Sequence, residues 1–129
     1  MNLLKLRKIG TSQNSYTSYY ASSPELDLLG DFLEDFGYSL GLKLIKQVMN
    51  DPLIDSWAGN MMGFKKNEKG KFEIYNLILN DDIYFEIDQN VLLKIVESYI
   101  QLRQNHLSPK EIIITCDHNL QNPVVEPIY

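Results

Sequence analysis

The chain has 129 residues, the length of about one domain, and its 12 Lys and Arg against 17 Asp and Glu leave a net charge of −5. With 44% hydrophobic and 22% charged residues it is too apolar for a disordered chain, and 7 Gly, 5 Pro and 1 Cys exclude collagen-like and disulfide-scaffold proteins. A chain of this size buries about two-thirds of its unfolded surface and needs no metal or disulfide to fold, so the composition predicts one compact soluble domain over residues 1–129.

Residues 1–24 carry Lys5, Arg7 and Lys8 and no acid. These cations are scattered among the leucines of residues 1–9, which therefore lack the unbroken apolar core of a secretory signal. Residues 10–23 are polar, with three tyrosines and no apolar period, and read as a long loop or a loosely paired edge strand. Ser22 then caps a helix, with Glu25 completing a capping box and Pro24 in the first turn. Leu29, Leu33 and Phe36 follow at helical spacing, and Asp31, Glu34 and Asp35 project from the other side. Gly37 is placed to end this helix, and Leu40, Leu44, Ile45 and Val48 continue the period, so residues 25–50 are helical, as one interrupted helix or two short ones.

After Asp51-Pro52 the pattern changes to strands. Trp57 to Phe64 is a weak strand, and Lys66 to Gly70 is a turn with glycine available for positive φ. Lys71 to Leu79 places Phe72, Ile74 and Ile78 on one face and Tyr75, Leu77 and Leu79 on the other. After the turn Asn80-Asp81-Asp82, Ile83, Phe85 and Ile87 alternate with Tyr84 and Glu86. Three strands joined by tight turns predict an antiparallel meander. Asp88 caps a helix whose stripe is Val91, Leu92, Ile95, Val96, Tyr99 and Leu102, and Asn105 to Pro109 end it. Glu111 to Cys116 is a β-branched interior strand, expected to run parallel to a sheet neighbour after the helical crossover. Residues 118–129, with Pro123 and Pro127, read as an irregular tail or a short extra edge strand. The order α–β–β–β–α–β defines an α+β fold, a single layer pair in which helices cover a mostly antiparallel sheet, with residues 1–24 as a loop or edge segment.

Little in the chain carries chemistry. Cys116-Asp117-His118 holds the parts of an activated nucleophile, but along a strand Cys116 and His118 point to one face and Asp117 to the other. Cys116 and the histidines His106 and His118 have no paired metal-ligand spacing, and a closed zinc site usually needs four ligands. The acids of residues 81–88 lack the alternating ligands and central glycine of a calcium loop. No phosphate loop, dinucleotide fingerprint or nucleophile elbow is present, so no cofactor and no enzyme activity are expected. No run approaches the roughly 18 apolar residues of a membrane helix, and the acidic balance argues against nucleic acid as a direct ligand. One cysteine forms no internal disulfide, which suits a reducing cytoplasm. Binding remains. Residues 73–88 carry five acids, no base and the aromatics Tyr75, Tyr84 and Phe85, a composition that fits a protein interface steered toward a basic partner.

Asp31-Phe32-Leu33-Glu34-Asp35-Phe36-Gly37-Tyr38, followed by Gly41-Leu42-Lys43-Leu44, resembles the first helix of small immunity proteins from bacterial contact-dependent growth inhibition and related polymorphic toxin systems. The Trp57 to Phe64 segment, the acidic meander through Asp88, and Ser108 to Thr115 are also similar, so the resemblance covers roughly residues 28–117. It implies a cytoplasmic protein that binds a cognate toxin C-terminal domain, often a nuclease, and blocks it. An acidic inhibitor suits the basic cleft of such a nuclease as a phosphate mimic. On this reading Asp81, Asp82, Glu86 and Asp88, with Tyr84, form much of the toxin face, and Glu34 and Asp35 form a second patch. The alternative expectation is an adaptor or structural subunit that docks a basic protein partner without any toxin.

Overall fold

A computed structural model describes residues 2–9, 16–78, 84–105 and 107–129. Its elements run β1 (Asn2–Ile9), β2 (Tyr16–Ala21), α1 (Pro24–Phe36), α2 (Ser39–Asn50), β3 (Ser56–Ala58), β4 (Met62–Lys66), β5 (Lys71–Asn76), β6 (Tyr84–Asp88), α3 (Gln89–Gln104), β7 (Glu111–Cys116) and β8 (Val124–Ile128). The α+β class and the antiparallel pairing are as expected from the sequence. The strands, however, form two sheets of four, in the orders β2-β1-β7-β8 and β3-β4-β5-β6, rather than one.

The second sheet is the meander with one strand added. Trp57 to Phe64 is two strands, because the chain turns at Gly59-Asn60-Met61 and pairs Trp57 with Phe64. Gly70 takes φ +74° in the turn to β5, a conformation that suits glycine. Phe72 and Ile74 are buried, as are Phe85 and Ile87 on the neighbouring strand. Ile78 does not share their face: β5 ends at Asn76, whose side-chain oxygen accepts the Ile78 N–H at 2.8 Å, and Ile78 is exposed.

The first sheet joins the two ends of the chain. In β1, Leu4 and Leu6 are buried while Lys5 and Arg7 are exposed, a period-2 alternation hidden by the scattered charges. β1 pairs with β2 on one side and with β7 on the other, from Asn2 opposite Cys116 to Arg7 opposite Glu111. The edge-strand reading of residues 10–23 holds for Tyr16–Ala21. β7 is interior as expected but antiparallel to both neighbours. α3 carries the chain from one sheet to the other, so the crossover rule for strands of a single sheet does not apply. The tail is ordered into β8: the Asp117 carboxylate accepts the backbone N–H groups of Asn119 (3.0 Å) and Gln121 (2.9 Å), closing a turn that brings Val124–Ile128 back along β7.

The helices fill the space between. Ser23, not Ser22, caps α1, accepting the Leu26 N–H at 3.4 Å with Pro24 at the first helical position. Ser22 belongs to the sheet: its N–H donates to the Leu3 carbonyl and its hydroxyl accepts the Leu3 N–H, both at 2.9 Å. Gly37 separates α1 from α2, and Asp88 caps α3 through the Asn90 N–H at 3.1 Å. One apolar cluster takes Leu4, Leu6, Ile112 and Ile114 from the first sheet and Phe64, Phe72, Ile74 and Phe85 from the second. At its centre Phe64 meets Phe36 and Phe72 edge-to-face at 5.3 Å between ring centroids, and Phe32 at 5.8 Å. Among the described residues no helix is long and apolar enough to cross a membrane.

Candidate functional site

The helices pack on the inner face of the β3–β6 sheet, which leaves its outer face to be read row by row from the register. One row places Ala58, Gly63, Tyr75 and Tyr84 side by side across the four strands. A side chain at Gly63 would run into the Tyr75 ring, so the missing side chain is what lets that ring lie across β4. The next step of the ladder brings Met61 beside Leu77, whose N–H donates to the Met61 carbonyl at 2.7 Å. Met61, Leu77 and Tyr84 are 45%, 41% and 49% exposed, an apolar strip that no described element covers. On the other side a row of Ser56, Lys65, Glu73 and Glu86 forms a polar rim. Lys65, Glu73, Tyr75 and Tyr84 enclose a depression of about 290 Å³.

The described residues of the expected acidic face lie in different settings. Tyr84 and Glu86 lie on this outer face, but Glu86 pairs with Lys69 at 3.4 Å and Glu73 with Lys65 at 4.0 Å, so the rim is close to neutral. Asp88 is half-buried as the α3 cap. Asp81 and Asp82 lie outside the described residues. Asp35 reaches from α1 to the β3–β4 turn, where its carboxylate accepts the N–H groups of Asn60 (3.3 Å), Met61 (3.0 Å) and Met62 (2.9 Å). It therefore fixes the turn that presents Met61. Glu34 is exposed on α1, which carries Glu25, Asp27, Asp31 and Glu34 and no base. Burial, and then Glu34, raises the pKa of Asp31, and among the described residues neither acid has an ion-pair partner.

Residues 116–118 do not converge. Cys116 is buried and burial pushes its thiol from 9.0 up to about 11, which leaves almost no thiolate near neutrality. Asp117 is occupied by the turn it closes, and the Gln121 and Asn119 N–H groups hold its pKa below the usual carboxylate range. His118 is exposed beyond it, and His106 lies outside the described residues. Among the described residues no three His, Cys, Asp or Glu side chains are placed to hold a metal ion.

Tyr84 and Glu86 thus meet on one surface, whereas Glu34 stands on a helix on the opposite side of the sheet. Met61 and Gly63 escaped sequence reasoning because their place beside Tyr75 depends on a cross-strand register. Leu77 left a signal, since it shares the polar-side alternation with Tyr75. Comparison with protein-family models, curated proteins and solved structures found no match to this chain.

Proposed function

We propose that this protein is a binding protein of the immunity type, which occupies a toxin domain in the cytoplasm and blocks it by docking the outer face of the β3–β6 sheet. The observation that carries the reading is the strip of Met61, Tyr75, Leu77 and Tyr84 on the outer face of the sheet, with a polar rim of Lys65, Glu73 and Glu86. Aromatic and aliphatic anchors inside a polar rim are the usual anatomy of a protein interface. The net charge of −5 and the baseless α1 helix favour a basic partner, such as a nuclease domain, through long-range steering more than through contact.

The test is co-purification with the toxin domain encoded beside the gene, followed by titration at low and high salt. Wild-type protein should bind one-to-one and protect cells. Tyr84→Ala and Leu77→Ala should each weaken binding about 30-fold, as hot-spot truncations do. Charge reversal at Glu34 and Asp31 should slow association and flatten its salt dependence with little change in dissociation. Binding that is indifferent to Tyr84 and Leu77 would refute the assigned face. Absence of binding would refute the toxin reading and leave an adaptor for a basic protein.

A further inference from the structure

The four outer edges of the two sheets are not equally defended. A strand edge displays unpaired N–H and C=O groups, and proteins commonly block such an edge with proline, charge or short length. β3 has only three residues, and β6 carries Glu86 and Asp88. β8 carries Pro127. β2, with the sequence Tyr-Thr-Ser-Tyr-Tyr-Ala, has six residues and neither proline nor charge.

The hydrogen-bond phase shows which groups of β2 are free. The Ser22 N–H donates to the Leu3 carbonyl, which makes that pair a bonded one. Bonded pairs alternate along an antiparallel ladder. The pairs of Lys5 with Tyr20 and Arg7 with Ser18 are then bonded, and the backbone groups of Thr17, Tyr19 and Ala21 face away from the sheet. The same phase carried across β1 and β7 puts Pro127 at an outward-facing position of β8, where its missing N–H breaks no ladder bond. One edge of this sheet is closed by that proline, and the other is open among the described residues.

Beside the open edge, Lys5, Arg7, Ser18, Tyr20 and Glu111 line a depression of about 170 Å³ on the outer face. Tyr20 is 60% exposed. Lys5 and Arg7 are exposed and make no ion pair among the described residues, although Glu111 lies opposite Arg7 in register. A strand added to β2 would place its side chains opposite Ser18 and Tyr20 on this face, one strand from both cations. We propose that the β2 edge binds an extended acidic segment of a partner protein as an added antiparallel strand, its backbone held by Thr17, Tyr19 and Ala21 and its carboxylates by Lys5 and Arg7. This surface is on the other sheet from the β3–β6 docking face and does not depend on the toxin reading.

The probe is a blocked seven-residue peptide alternating glutamate with valine and threonine, titrated into the full chain by NMR at low and high salt. The expected result is binding that shifts the amides of Thr17, Tyr19 and Ala21 and weakens with salt. A lysine-for-glutamate counterpart should bind at least tenfold more weakly, and the Lys5→Glu, Arg7→Glu double variant should reverse that preference. N-methylation of the peptide at ladder-facing positions should abolish binding with the protein unchanged. Thr17→Pro should do so from the protein side, since its N–H makes no bond within the sheet. Equal binding of the glutamate and lysine peptides, indifference to N-methylation, or shifts confined to β8 or the second sheet would overturn the proposal. So would a wild-type dimer by light scattering that Thr17→Pro dissociates, because the edge would then serve a second copy of the chain.

Discussion

The two sheets have four strands each, yet they are assembled differently. In the β3–β6 sheet every strand pairs with its neighbour in sequence, and the whole sheet lies within residues 56–88. In the other sheet, β1 lies between β2 and β7, so Asn2 finds its partner at Cys116. The outer faces differ as well: among the described residues the local sheet shows an apolar strip with paired charges, and the long-range sheet shows Lys5 and Arg7 without an ion pair. Among the described residues the local sheet is thus closed electrostatically and open to apolar contact, whereas the long-range sheet is open in charge and along one edge. Two faces of such different chemistry suit two different kinds of contact.

The sharpest way to test whether the sheets share one core is to cut into each. Phe64→Ala should cost about 3–5 kcal/mol and Ile114→Ala about 2–5 kcal/mol, both read from urea unfolding. Two superimposable single transitions would fit one cooperative unit, and a biphasic curve in either variant would separate the sheets. Asp35→Ala, which removes the acceptor for three backbone N–H groups, should cost roughly 1–3 kcal/mol and speed hydrogen exchange at Met61 and Met62. Unchanged exchange there would mean that the turn holds without its carboxylate.

Alkaline pH should act on the long-range sheet through Cys116. The unfolded Cys116 thiol ionises near its ordinary value of 9.0 and the folded one near 11, so the folded state binds the extra proton between them. The stability tied to this thiol is therefore intact below about pH 9 and falls by up to about 2 kcal/mol as pH rises toward 11. Cys116→Ala should remove that part of the decline, as read from melting at a series of pH values. The smallest effects belong to the apolar strip. Gly63→Ala should cost about 1 kcal/mol by displacing the Tyr75 ring, and Tyr84→Ala should stay within about 0.5 kcal/mol of wild type in urea unfolding. A large loss in Tyr84→Ala would make that side chain a structural support and remove it from the docking strip.

The same contrast explains what the sequence disclosed. The strands β5 and β6, the turn at Lys66 to Gly70 and the α3 cap were legible because their signals are local: alternation in Phe72-Glu73-Ile74, glycine at 70, aspartate at 88; the expected turn Asn80-Asp81-Asp82 lies outside the described residues. β1 was not, and β8 was legible only as one of two alternatives, since each is held by partners across the sheet. Lys5 and Arg7 obscured the alternation of Leu4 and Leu6, and Pro127 resembled a strand breaker where it lies on an outer edge. For the site, the alternation around Tyr84 and Glu86 placed them on one face. The ion pairs of Glu73 and Glu86, the capture of a turn by Asp35, and Gly63 beneath Tyr75 depend on register and on packing between elements, which no local pattern encodes.

The central place of β1 also sets a schedule for biosynthesis. Leu4 and Leu6 leave the ribosome more than a hundred residues ahead of their cross-strand partners Ile114 and Ile112. At roughly 5–20 residues per second that interval is on the order of 5–20 s. Throughout it the nascent chain carries β1 with one side unmatched, and in its last part the β3–β6 sheet already has everything it requires. A nascent chain held with Asp88 emerged and Glu111 still enclosed by the ribosome would therefore display a finished meander beside an unfilled seam.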